Sequence, residues 1–187
     1  LVPLAALGAE EWVAADGSPF PHESWKVTAE GLQAVGGLET FQDIKTLRQF
    51  EDFELEFEWK MLPEGNSGVK YQIEKSDKWQ PPGKKGFHIR ARGAEMQLVD
   101  DERNADAQKG PLKQCGALYN KIAPLKRARV RIGEFNTARI LLQGMRVEHW
   151  INGEKLVSYD LAEKRKSAIS LQNHACDVWF RNIKIRG

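Results

Sequence analysis

The stretch Phe53-Glu54-Leu55-Glu56-Phe57-Glu58-Trp59-Lys60 decides the fold class. Apolar and charged residues alternate through it without a break. Side chains at i and i+2 of a strand share a face. Phe53, Leu55, Phe57 and Trp59 therefore line one face, and Glu54, Glu56 and Glu58 the other. Working outward, Pro63-Glu64-Gly65-Asn66-Ser67-Gly68 reads as a turn, and Val69 to Glu74 alternates again. On the amino-terminal side, Trp25–Thr28 and Leu32–Val35 are short strands around Gly31. On the carboxy-terminal side, Ala138–Leu142 and Arg146–Ile151 form a hairpin at Gly144. Asn152-Gly153 is a strong hairpin signal, because a type I′ turn needs positive φ at both positions. Lys155–Tyr159 pairs back, and Ala168–Gln172 and Val178–Arg186 are the last strands. Leu161–Lys166 is the single helical candidate. Many short strands with turn punctuation predict an all-β sandwich or barrel.

Two long segments interrupt the strands. Lys75–Gly93 reads as a Gly/Pro/Lys loop containing Trp79, Pro81, Pro82 and His88. Arg103–Arg129 is basic and irregular. Long loops of this kind often carry function. Both flank the strand Gly93-Ala94-Glu95-Met96-Gln97-Leu98-Val99, which runs into the acidic turn Asp100-Asp101-Glu102. Glu95 and Gln97 share one face of that strand, and Met96 and Leu98 point to the core. A carboxylate beside a carboxamide suits the gripping of sugar hydroxyls or the movement of one proton. A sandwich can hold a groove on one concave sheet face, and loops at its rim would place the Glu95 strand beside it.

The totals bound the rest. The 187 residues suggest one domain, residues 1–187, with a net charge of +2 that is too small to argue for nucleic acid. No apolar run reaches membrane-spanning length. The chain opens on Leu1 rather than Met, which points to processing or trimming. Six Trp is a high count, and exposed Trp stacks well on sugar rings. Cys115 and Cys176 permit one disulfide. No close-spaced set of ligands suggests a metal or redox motif.

Read in order, Trp25-Lys26-Val27, Asp52-Phe53-Glu54-Leu55, Asn66-Ser67-Gly68-Val69, Glu95-Met96-Gln97-Leu98, Gly116-Ala117-Leu118-Tyr119, Gly133-Glu134-Phe135-Asn136, His149-Trp150-Ile151-Asn152-Gly153, Ser170-Leu171-Gln172-Asn173-His174 and Phe180-Arg181-Asn182-Ile183 form a pattern. The chain resembles the 3-keto-disaccharide hydrolase domain family over nearly its whole length. Two positions depart from that family. Phe135 stands where Trp is usual, and Asn173-His174-Ala175 replaces Asp-His-Gly.

The resemblance implies a concanavalin A-like jelly roll of two antiparallel sheets, a carbohydrate ligand, and cleavage of glycosides already oxidised at C3. It also implies a periplasmic or extracellular location, where a Cys115–Cys176 bond could persist. No cofactor is certain; a divalent metal ion is the one left open. Oligomeric state is not indicated.

Within this frame Glu95 and His174 are the catalytic candidates. Glu58, Lys70, Gln97, Tyr119, Trp150 and Gln172 are the substrate-binding candidates. A 3-keto group acidifies the proton at C2. A base such as Glu95 or His174 could remove it while Lys70 or a metal steadies the enolate, and the group at C1 then leaves. Glu58 is expected to share the groove with Glu95. His149, sent by alternation to the face opposite Trp150, is expected to be structural. Two rivals remain: hydrolysis by a carboxylate pair such as Glu58 and Glu95, and a non-catalytic carbohydrate-binding module.

Overall fold

A computed structural model describes residues 2–187. Two sheets pack face to face. The eight-stranded sheet runs β12 (Glu154–Asp160), β11 (Arg146–Ile151), β10 (Asn136–Gln143), β7 (Phe53–Met61), β14 (Val178–Arg186), β4 (Gly31–Ala34) and β3 (Trp25–Thr28), with β1 (Ala5–Ala6) also paired to β14. The six-stranded sheet runs β2 (Trp12–Ala14), β6 (Ile44–Thr46), β13 (Ser170–Leu171), β8 (Asn66–Trp79), β9 (His88–Val99) and β5 (Phe41–Gln42). Strand pairs are antiparallel apart from β5 with β9.

The alternation in β7 works as its sequence predicts. Phe53, Leu55, Phe57 and Trp59 are buried in the core with Trp25, Tyr71, Met96, Leu98, Ile140 and Phe180. Glu54 and Glu58 turn to the outer face, where Arg139 and Arg186 hold Glu54 and Arg181 holds Glu58. Such part-exposed ion pairs add little stability. The core therefore carries the fold. Asn152 and Gly153 both take positive φ, 48° and 77°, as the hairpin turn requires.

Two local expectations change. Leu161–Lys166 is irregular rather than helical. One turn and a half of helix is too short to stand alone, and this segment is tied elsewhere, by Lys164 to Asp52 and by Arg165 N–H to Gln72. Lys75–Gly93 is not a loop but the outer half of the β8–β9 hairpin, paired from Lys75 with Arg92 to Trp79 with His88. The strands of this arm bury only His88 and Ala91 and otherwise carry mostly polar residues, so its sequence lacks the apolar period that marks a strand. A bulge separates arm from sheet. Gln72, Ile73 and Glu74 stand opposite Gly93, and Gln72 has φ 51°. A Cβ at residue 93 would sit 2.5 Å from the Tyr71 carbonyl, so the bend needs glycine there.

The segment Phe41–Thr46 ties arm to sheet. Phe41 N–H donates to Phe87 O (3.0 Å) and Asp43 N–H to Ile89 O (2.9 Å), after which β6 pairs with β13.

His149 is a core residue, as expected. Its Nδ1–H donates to Gly116 O at 2.9 Å, which leaves Nε2 to accept from Tyr71 OH at 2.7 Å; Tyr71 OH in turn accepts from Tyr159 OH at 2.7 Å. Burial pushes its pKa down to about 4, so the ring is neutral at ordinary pH. Cys115 and Cys176 are both free thiols, so the disulfide left open by the sequence is not formed.

Candidate active site on the six-stranded sheet

Cross-strand pairing places Ser170, Lys70 and Glu95 in one row across β13, β8 and β9. These side chains face away from the sandwich core, which takes Val69, Tyr71, Met96 and Leu171 instead. Gln97 lies two residues along on the same face, opposite Gly68. Gln172 lies two beyond Ser170, with its N–H bonded to Gly68 O at 2.9 Å. Glycine at 68 lets Glu95 lie flat on the sheet: a Cβ there would be 2.5 Å from Glu95 Oε2.

Asp43 is the charged centre of this face. It is fully buried and accepts from Lys70 Nζ (2.7 Å), His88 Nε2 (2.8 Å), Asn173 N–H (3.0 Å) and Ala91 N–H (3.2 Å). Burial alone would raise its pKa, but Lys70 and His88 outweigh that and hold it below the usual value. Lys70 Nζ also donates to Ala91 O at 3.0 Å. Two of its three donors are thus used, and the third has no partner among the described residues.

Glu95 is half-buried, and its carboxyl makes no hydrogen bond among the described residues. Burial pushes its pKa up to about 7, against the pull of Lys70 and with the push of Asp43. His174 stands nearby in the turn after β13. Its ring is exposed, and its centre lies 6.4 Å from that of His88. Surrounding protein, and then His88, lower its pKa, so it is neutral near pH 7. Two groups deep among protein atoms that still keep accessible surface describe a concave site.

The irregular segment after β9 forms one wall. Its backbone docks on the free edge of β9 through Gly116 N–H to Gln97 O (2.8 Å) and Tyr119 N–H to Glu95 O (2.9 Å). Tyr119 OH donates to Asp106 and accepts from Lys113 Nζ at 3.2 Å. Burial, the Asp106 bond and the nearby Glu95 raise the Tyr119 pKa well above the phenol range. Gln97 Nε2 donates to Lys113 O at 3.1 Å. Ser170 Oγ and Gln172 Oε1 are buried without a partner among the described residues. Buried polar atoms are rarely left so.

Glu58 and Trp150 are not part of it. Both line a depression of about 300 Å³ on the outer face of the eight-stranded sheet, with Glu56, Thr137 and Arg139. Glu58 is held there by Arg181 and Asn182. Alternation assigned Glu58 to a polar face correctly, but each sheet has its own outer face. The Glu58–Glu95 pair of ordinary hydrolysis therefore cannot flank one glycosidic bond.

Asp43 and His88 were missed by sequence reasoning. The only hint was an acid inside the strand-like run Phe41-Gln42-Asp43-Ile44-Lys45-Thr46. Asn173 is fully engaged in structure. Its Nδ2 donates to Ser24 O and Val35 O, and its Oδ1 accepts from Ala175 N–H. A carboxylate could not make the two donations. Among the described residues, no three His, Cys, Asp or Glu side chains converge as metal ligands.

These pKa shifts predict how stability depends on pH. Glu95 binds its proton more tightly folded (about 7) than unfolded, so its ionised form costs stability above pH 7, and that cost vanishes as pH falls to 4.5. Glu95→Gln should therefore be more stable than the parent at pH 8, by about 3 kcal/mol at most, with the two converging near pH 4.5. His149 acts oppositely. Its folded pKa is depressed to about 4, so its contribution is complete above pH 6.5 and is lost as pH falls toward 4. Urea midpoints across pH 4.5–8 check this, and parallel curves for the two proteins would refute it.

The fold and site together define a class: a lectin-like jelly roll with a polar site on one sheet. Solved structures share the fold. Two proposed glycosyl hydrolases from Parabacteroides distasonis match at TM-score 0.77 (23% identity, 95% of this chain and 89% of that one) and 0.70 (25% identity, 94% and 98%). The carbohydrate-binding module CBM66 of Bacillus subtilis matches in fold at TM-score 0.55 with 10% identity, over 95% of this chain and 96% of that one. More narrowly, the chain belongs to the 3-keto-alpha-glucoside-1,2-lyase-like domain family, whose profile matches residues 8–186. A relative from Bacteroides thetaiotaomicron, a 3-keto-disaccharide hydrolase, is 28% identical over 179 residues, covering 77% of this chain and 61% of that protein. The chain thus spans under two thirds of that relative's length. No helix among the described residues is long and apolar enough to cross a membrane.

Proposed function

We propose that this domain cleaves glycosides of 3-keto sugars by elimination across C1 and C2, followed by addition of water. One observation carries the reading: Glu95, unbonded and with a pKa near 7, lies on the sheet beside a lysine that has one donor to spare. A base for carbon acids works best with a pKa near the operating pH. Glu95 takes the C2 proton. The electron pair moves to the C3 oxygen, where the remaining Lys70 N–H meets the developing charge. The enolate then collapses, the C1–O bond breaks, and the proton on Glu95 passes to the leaving oxygen. The same steps in reverse, with water in place of the aglycone, return a proton to C2 and release the free 3-keto sugar.

Asp43 and His88 hold Lys70 in place. His174 and Tyr119 stand at the rim to bond the leaving oxygen or the incoming water. Gln97, Gln172 and Ser170 offer hydrogen bonds to ring hydroxyls. Family membership and the relative's name support the substrate class. The test pairs a 3-keto disaccharide with its unoxidised parent. Cleavage of the keto form alone is expected. Cleavage of both would point to ordinary hydrolysis, and binding of either without turnover would point to a binding module; each result would overturn the proposal.

A further inference from the structure

Positive charge is concentrated in the hairpin arm. Residues 75–92 hold six basic residues and one carboxylate, Asp77, while the rest of the chain holds 22 basic and 25 acidic residues. The arm alone is strongly cationic, and the remainder is slightly acidic.

The charge is also ordered. Trp79 pairs with His88, Asp77 with Arg90, and Lys75 with Arg92. These positions are two apart, so they share one side of the arm. His88 on that side reaches Asp43, the centre of the site. The row therefore borders the site. Arg90 lies over the Trp79 ring, 4.5 Å from its centroid, and Trp79 is 39% exposed. Asp77 is shared between Arg90 (2.8 Å) and Arg92 (3.7 Å), and Lys75 has no ion pair among the described residues. One carboxylate against three cations leaves the row with charge to spare. Arg92 is close enough for its charge to act on Glu95.

We propose that this row binds the part of the glycoside beyond the scissile bond, and that it selects substrates carrying a carboxylate or sulfate there. The inference rests on the function proposed above. An exposed indole offers a platform for a sugar or aryl ring, and guanidinium groups donate paired N–H bonds to the oxygens of such oxyanions better than any other side chain.

The test uses 3-keto glucosides of two matched phenols, one bearing a carboxylate and the other the corresponding carboxamide. The wild-type protein should favour the carboxylate by about tenfold or more in kcat/KM at low salt. The preference should shrink in about 0.5 M NaCl, where the screening length falls well below 10 Å. In Arg90→Gln/Arg92→Gln the ratio should fall toward one. Reading a ratio cancels any effect of Arg92 on Glu95 itself. Calorimetric binding of the unoxidised pair reads the same preference without turnover, so a failure of the 3-keto chemistry cannot mask it. Equal values for the two compounds, or a preference that survives the double substitution, would overturn the inference.

Discussion

Glu95→Gln is expected to lower turnover of a 3-keto glycoside by about 10²-fold or more, the effect of losing a general base. Gln keeps the shape and the hydrogen-bonding capacity of Glu but cannot hold the C2 proton. The loss should fall on kcat rather than KM, since binding contacts survive. The fold should survive as well. Glu95 has no hydrogen-bonded partner, and burial already disfavours its charge, so neutralising it removes a strain rather than a support. Two features make this informative. Glu95 sits over Gly68, where an amide fits as well as a carboxyl. The activity of the parent protein should rise as pH passes through about 7, because the base must be ionised, and the variant should lack that limb. Full activity in Glu95→Gln would remove it from the mechanism.

Asp43→Ala is expected to have the largest effect on stability, a loss of about 3–5 kcal/mol. Asp43 is fully buried and takes four hydrogen bonds from β8, β9, its arm and the turn after β13. Its removal leaves the Lys70 ammonium buried with only the Ala91 carbonyl as partner. Breaking one side of a buried pair is costly, whereas replacing both sides by apolar groups is often tolerated. Asp43→Ala/Lys70→Met should therefore recover much of the stability lost by Asp43→Ala alone. Denaturant titrations of the single and double variants measure the coupling. A double variant no better than the single one, or an Asp43→Ala protein as stable as the parent, would show that the charges are not coupled as the distances indicate.

Much of this fold is legible in the sequence. Strict alternation in Phe53–Lys60 and the Asn152-Gly153 turn led to two antiparallel sheets because both signals are local. The period of two follows from strand geometry, and the I′ turn from backbone sterics. The same rule paired Glu95 with Gln97 and separated His149 from Trp150. Where burial was absent, the rule lost its signal. The hairpin arm, outside the sandwich, has no apolar face to reveal it, so residues 75–93 read as a loop.

The sequence by itself determined which side chains on a strand face together, and that the chain buries a β-sandwich core. Only the tertiary structure decided which faces meet. Alternation says that Glu58 and Glu95 both point away from the core, but not that they do so on opposite sheets. It gives no reason to join Asp43, Lys70 and His88, which lie 27 and 18 residues apart in sequence. What joins them is the bulge at Gly93, which bends the arm, and the segment Phe41–Thr46, which ties it to the sheet. Periodicity is a property of one strand. A buried charge cluster is a property of several, fixed by long-range packing and by the need of each buried charge for a partner.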